Sequence, residues 1–282
     1  MNEAIDRAVV GEAGIDSLPD ILAGARTVDV RYAVKRVASV TEDEEELLER
    51  AEEWSVHPDS AVRQLACGLA EAGYKGDRKR AIAVLRRLSD DPESSVRDAV
   101  GRACGRILAR DFSHMLGELS DFRADSSPRV RRIAAIAAMI AGKEKRMEWA
   151  EPLLKLLEPL LADRDPEVRR SLGPLAIGSG LLRDHPDMTF EYLVKWSTSN
   201  DEQVLWNVAM SFSGTGGPPV VKKALIVLRR LSLDERRYVW RAVASAMWKL
   251  GRKRPEIVRP ELARWLEDER RVEVARAALK YL

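Results

Sequence analysis

Apolar residues recur along this chain with a helical period, and the recurring blocks themselves repeat. Segments such as "AIAVLRRLSD" (Ala81 to Asp90), "AEPLLKLLEPLLAD" (Ala150 to Asp163) and "KALIVLRRLS" (Lys223 to Ser232) place apolar residues at three- and four-residue steps, the mark of an amphipathic helix. A short Asp/Pro/Ser turn follows, then a second segment that opens on valine and continues with alanine on the same face. These valines are Val30, Val62, Val96, Val130, Val168, Val204, Val239 and Val274, at spacings of 32, 34, 34, 38, 36, 35 and 35 residues. Asp or Ser ahead of the valine caps a helix by accepting a free backbone N–H, and Pro is tolerated in that first turn because its missing N–H has no helical partner to lose. One helix pair cannot bury its apolar face alone, so stacked pairs must share a core. The expected fold is all-α: a right-handed α-solenoid of about eight helical hairpins over residues 18–282, after an N-terminal segment, 1–17.

The Asp/Pro–x–x–Val–Arg signature of "DPESSVRDAVGRACGRI" (Asp91 to Ile107) and its relatives resembles HEAT repeats, so the hairpins are expected to be HEAT-like. One unit departs from the rule. "DPEVRRSLGPLAIGSGLLRDHPD" (Asp165 to Asp187) places Pro174, Gly178 and Gly180 where a second helix should run. Proline removes a helical N–H and glycine adds backbone freedom, which predicts a kinked or broken helix in the fifth repeat.

Composition narrows the function classes. The chain is 45% apolar and 33% charged, enough to build a core, and only 6% aromatic. The net charge of +2 demands no polyanionic partner. The halves differ: residues 1–141 carry 21 Lys and Arg against 25 Asp and Glu, and the remainder 26 against 20, so the C-terminal half is the basic one. Cys67 and Cys104 lie in Ala/Gly-rich helical surroundings and read as small buried hydrophobes in a reducing compartment. No apolar run approaches the ~18 residues of a membrane span, and "MNEAIDRAVVGEAG" is too acidic for a signal peptide. A cytoplasmic protein without a membrane partner is expected. His57, His114 and His185 are scattered over different repeats and give no metal-ligand spacing with the cysteines. No cofactor motif is present. "GTGG" (Gly214 to Gly217) follows no strand and reads as a loop between repeats.

The repeat columns carry the candidate chemistry. The position after each valine reads Arg31, Arg63, Arg97, Arg131, Arg169, Leu205, Trp240, Ala275. The arginines are expected to pair with turn aspartates of adjacent repeats in a ladder that stops at Leu205. The next position reads Tyr32, Gln64, Asp98, Arg132, Arg170, Trp206, Arg241, Arg276 and turns from neutral or acidic to basic. Two readings stand. Arg132, Arg170, Arg241 and Arg276 with Trp206 and Trp240 form a basic groove, the cations neutralising phosphates and the indoles stacking on bases or sugars. Alternatively, this is a solvated polar face with the tryptophans in the last core layers. Trp149, Trp196, Trp248 and Trp265 fall in apolar-periodic segments and belong to the core. The acidic "TEDEEELLERAEEW" (Thr41 to Trp54) reads as a first helix with a solvated face, which would repel nucleic acid locally; a basic protein partner is the alternative use of it.

"RVRRIAAIAAM" (Arg129 to Met139), then "VRRSLGPLAIGSGLLRDHPD", then "LVKW" (Leu193 to Trp196) resembles the HEAT-like DNA alkylation repair glycosylases. The resemblance spans about 70 residues and implies a basic concave surface that cradles duplex DNA and excision of cationic alkylated bases. One branch of that family carries a Trp-Trp-x-x-x-Asp-like stretch before the paired arginines. Here "FSHMLGELSD" (Phe112 to Asp121) has no tryptophan and offers only Glu118 or Asp121 as carboxylate. The next expected aromatic falls near Pro174. Three functions stay open: a nucleic-acid-binding relative of the repair proteins, a protein–protein scaffold, and an active alkylpurine DNA glycosylase.

Overall fold

Six of the second helices start from a side-chain turn, and in three of them the turn is double. Five residues before the column valine, a side chain accepts the backbone N–H two residues on. His57 Nδ1 takes that of Asp59 at 3.1 Å, Asp91 that of Glu93 and Asp125 that of Ser127 at 2.9 Å. Asp163, Ser199 and Asp234 do the same for Asp165, Asp201 and Arg236 at 2.9, 3.1 and 2.9 Å. Asp59, Asp165 and Asp201 then cap the helix, accepting from Ala61, Glu167 and Gln203 at 2.7, 2.8 and 2.7 Å. Short side chains that bond backbone two residues on compete with helix, so the pair of them stops one helix and aims the next.

The computed structural model describes residues 1–11, 14–280 and 282. Glu12 and Ala13 of the N-terminal segment and Tyr281 of the last repeat lie outside the described residues. The chain divides into two compact units, residues 1–137 and 138–282. The first contains α1 (Asn2–Val10), α2 (Leu18–Leu22), α3 (Thr27–Val40), α4 (Glu44–Trp54), α5 (Ser60–Ala72), α6 (Arg78–Ser89), α7 (Ser94–Arg110) and α8 (Phe112–Arg123). The division falls within α9 (Pro128–Ala141). The second holds α10 (Met147–Leu157), α11 (Pro166–Ser171), α12 (Leu182–Asp184), α13 (Pro186–Trp196), α14 (Glu202–Ser211), α15 (Val221–Leu231), α16 (Arg237–Lys253), α17 (Pro255–Leu266) and α18 (Val272–Leu279). No strand occurs among the described residues.

Seven of the eight column valines are buried, each worth roughly 1.5–3 kcal/mol of apolar transfer. Val204 is the exception: it is half-buried and Leu205 takes the core place beside it, so the register slips by one residue in the sixth repeat. Trp149, Trp196 and Trp265 are in the core as expected, while Trp248 is half-buried under the Arg252 guanidinium. Cys67 and Cys104 are buried thiols, and burial pushes both up from the ordinary thiol range. The N-terminal segment forms a helix that packs on α3, where Asp6 accepts from Tyr32 at 2.8 Å and from Arg36 at 2.6 Å.

The arginine ladder takes a different form from the one expected. Arg63, Arg97 and Arg131 each aim Nη1 at two carbonyls of their own turn: His57 and Pro58, Asp91 and Pro92, Asp125 and Ser126, at 2.7–3.0 Å. Arg63 also reaches the next turn, donating to both oxygens of the buried Asp91 at 2.6 and 3.0 Å. The pattern ends at Arg169, one repeat earlier than the sequence column suggests, because that side chain turns to Tyr238 instead.

The break in the fifth repeat is a π-helix from Leu172 to Leu181, placed between α11 and α12. Such helices are usually single-turn bulges, so a ten-residue run needs a cause. Pro174 lacks an N–H. Gly173 donates its own to Asn207 Oδ1 at 3.2 Å, and Asn207 Nδ2 donates to the Leu161 carbonyl at 2.8 Å. The widened turns admit the 211–217 loop. Gly216 N–H donates to the Gly178 carbonyl at 2.9 Å, and Ser179 Oγ accepts from Thr215 N–H at 3.2 Å. A Cβ on Gly178 would stand 2.2 Å from the Ser211 carbonyl oxygen, and one on Gly214 would stand 2.4 Å from Gly178 carbonyl carbon. "GTGG" is thus the inter-repeat loop the sequence suggests, seated on the π-helix. No helix among the described residues is long and apolar enough to cross a membrane.

Candidate nucleic-acid interface

Helices α11, α14 and α16 bring three cationic and aromatic side chains, Arg169, Trp206 and Tyr238, together in the second unit. Trp206 and Tyr238 stack with centroids 5.9 Å apart and planes inclined by 14°. The Arg169 guanidinium lies 5.3 Å from the Trp206 centroid and 5.9 Å from that of Tyr238. A hydrogen-bond chain fixes the set: Arg169 Nη1 donates to Tyr238 Oη at 2.8 Å, and Tyr238 Oη donates to Gln203 Oε1 at 2.7 Å. Arg169 Nε and Gln203 Nε2 are buried and have no acceptor. The ring pair forms one wall of an open groove of about 510 Å³, completed by Met210, Arg237, Arg241 and Ser245.

This arrangement sorts the expected residues. Trp206 and Arg241 line the groove. Arg170 is exposed on α11 and, like Arg237 and Arg241, makes no ion pair among the described residues. Trp240 is half-buried and outside the groove lining. Arg276 is exposed but donates to Glu273 at 2.9 Å. Arg132 belongs to the first unit, where it donates to Asp98 at 2.7 Å and keeps 13% side-chain exposure. Column reading missed Tyr238 and Arg237, which precede the column valine of their repeat. It also assigned Arg169 to the ladder. The signal available for Tyr238 was an aromatic one repeat after Trp206 on a segment already rich in arginine.

No carboxylate and no histidine lines the groove. The flat rings can stack against a planar group, and the free guanidinium groups can neutralise phosphate. The lining holds no carboxylate to stabilise a sugar cation, and its hydroxyls are those of Tyr238 and Ser245. Among the described residues, no group of three or more His, Cys, Asp or Glu is placed to hold a metal ion.

Residues 19–195 match the family described as DNA alkylation repair enzyme, which covers more than half the chain. The chain belongs to that family. No curated protein matches it. Among solved structures, the karyopherin Kap121p bound to the extreme C-terminus of the phosphatase Cdc14p is 14% identical, with a TM-score of 0.52 over 89% of this chain and 31% of the karyopherin. YibA from E. coli is 16% identical with a TM-score of 0.46, over 100% of this chain and 94% of its own. The karyopherin likeness shows the fold, an α-solenoid of HEAT-like helical hairpins. Within the DNA alkylation repair family, this chain's possible carboxylates stay apart from the groove lining: Glu118 is half-buried and Asp121 exposed, both on α8 of the first unit. Pro174, where a second aromatic is expected, lies in the π-helix.

Proposed function

We propose that this member of the DNA alkylation repair family binds nucleic acid through the groove of its second unit. Arg170, Arg237 and Arg241 neutralise phosphates, and Trp206 with Tyr238 offers a flat apolar face. The observation that carries the reading is the juxtaposition of unpaired guanidinium groups with a stacked aromatic pair in a groove without carboxylates. Arg276 and Trp240 flank this set in the sequence column and add charge and apolar surface; Arg132 belongs to the first unit, where Asp98 engages it. Binding is the reading that these residues support; excision of alkylated bases stays open to the test below.

Fluorescence anisotropy with plain and alkylated duplex DNA at two salt concentrations tests the reading. Affinity should fall steeply with salt, since each phosphate contact releases counterions. The double substitution Arg170→Glu, Arg241→Glu should abolish binding and leave the circular dichroism spectrum unchanged. Binding that survives the double change would remove the groove assignment. Release of free alkylated base by the wild-type chain would replace binding with glycosylase activity. A protein partner is the second reading, favoured by the karyopherin whose fold is similar and which was solved with a protein tail. The acidic helix α4 is a weaker lure for such a partner than its sequence suggests. Arg80 binds Glu52 at 2.8 Å and also holds Glu45, while Arg50 binds Asp16 at 3.1 Å and Glu46.

A further inference from the structure

The first unit contains a cavity of about 620 Å³ that the proposed nucleic-acid groove does not use. Helix α5 lies between α3 and α7 and touches both. From α3, Arg31 and Lys35 line the cavity one turn apart; from α7, Arg102, Arg106 and Arg110 line it at successive turns. Arg106 and Arg110 share one carboxylate, Glu71, at 2.7 and 2.9 Å, and that side chain is only 7% exposed. Arg31, Lys35 and Arg102 make no hydrogen bond and no ion pair among the described residues. Asp98, one turn before Arg102, is engaged by Arg132.

Five cations line the cavity against three carboxylates, Glu42, Glu44 and Glu71, which leaves an excess of two positive charges. Burial and the nearby Arg31 charge hold the Arg102 guanidinium below its ordinary pKa. Like charges in a half-buried site are costly unless an anion completes them. Most of the remaining wall is apolar, formed by Val30, Val34, Ala38, Leu47, Ala72 and Ala99, with Thr27, Thr41 and Gln64 as its polar positions. The volume falls within the roughly 300–1,000 Å³ typical of small-molecule sites.

We propose that this cavity binds a small organic molecule with a dianionic phosphomonoester head and a compact apolar body. The forked guanidinium groups of Arg31 and Arg102 match the phosphoryl oxygens, and the dianion balances the charge excess. The apolar wall takes the body. This site is independent of the nucleic-acid reading.

Calorimetric titration of the full chain at low salt, with phenyl phosphate and with inorganic phosphate, tests the proposal. Phenyl phosphate should bind at one site, and more tightly than inorganic phosphate. Arg102→Gln and Arg31→Gln should each weaken it by about tenfold or more, the loss of a charge-assisted hydrogen bond. Arg31 is exposed, so its variant reads the site even if Arg102→Gln misfolds. Without ligand, Arg102→Gln should melt at or above the wild-type temperature, because a half-buried unpaired charge is gone. Both variants should bind duplex DNA as the wild type does. Three results would overturn the site: no heat with phenyl phosphate, equal affinity for inorganic phosphate, or parallel loss of DNA and phosphate binding in the variants. The last would assign the pocket to a nucleic-acid surface.

Discussion

Arg131 and Arg169 hold the same place in successive repeats and end in different company. Arg131 curls back on its own turn and bonds two carbonyls there. Arg169 turns away to the phenol of Tyr238 and lies over two aromatic rings. What differs is the neighbourhood: the repeat after Arg169 brings Trp206, and the one after that Tyr238. The helices around them differ as well. Arg131 sits on an uninterrupted α-helix, whereas Arg169 sits on six residues of α-helix that run into a π-helix. A column of identical residues in a repeat protein therefore defines a place in the helix, and the residues of later repeats decide what the side chain does there.

The contrast can be broken first at Gly178. Gly178→Ala places a methyl against the Ser211 carbonyl, where backbone on both sides leaves no room to yield. We expect a loss of about 3 kcal/mol in chemical denaturation; an unchanged midpoint would mean that the π-helix and the 211–217 loop separate easily. Next come the two arginines. Arg131→Met should cost about 1–2 kcal/mol, because two turn carbonyls lose a charged donor. Arg169→Met should stay within about 1 kcal/mol, since its buried Nε already lacks an acceptor and the desolvation cost disappears with the charge. It should change Trp206 fluorescence all the same. Equal losses in the two variants would erase the distinction drawn between them. The smallest effect belongs to a glycine in regular helix. Gly117 lies exposed within α8 with nothing near its missing Cβ, so Gly117→Ala should stabilise by ~0.5–1 kcal/mol.

The repeats, their caps and the break at Pro174 were legible because each follows from local chemistry. Periodic apolar residues, a side chain that bonds backbone two residues on, and a proline without an N–H act within a few residues of themselves. The form of the break was not legible, since it depends on Asn207 and Gly216, which lie more than 30 residues further along. The site followed the same division. Trp206 and Arg241 stood out in their column and line one groove. Tyr238 and Arg169 did not, because their roles arise only where separate repeats meet. The cations of the first-unit cavity were hidden by an acidic average: 25 acidic residues over residues 1–141 mask a cluster of five basic ones. Net charge describes a segment, and a binding site depends on which side chains have already been claimed by a neighbour.

Solenoids are commonly treated as modular, with repeats that can be added, deleted or exchanged because each touches only the next through side chains. The bond from Gly216 to Gly178, with glycine facing glycine on either side of it, denies that freedom at one joint. A repeat inserted between the fifth and sixth would part the two backbones, and no side-chain redesign could restore a contact made by the main chain. The length of this protein is therefore open to change along its regular repeats and closed at this one seam, which makes the fifth and sixth repeats the indivisible unit around which any shortened or extended version would have to be built.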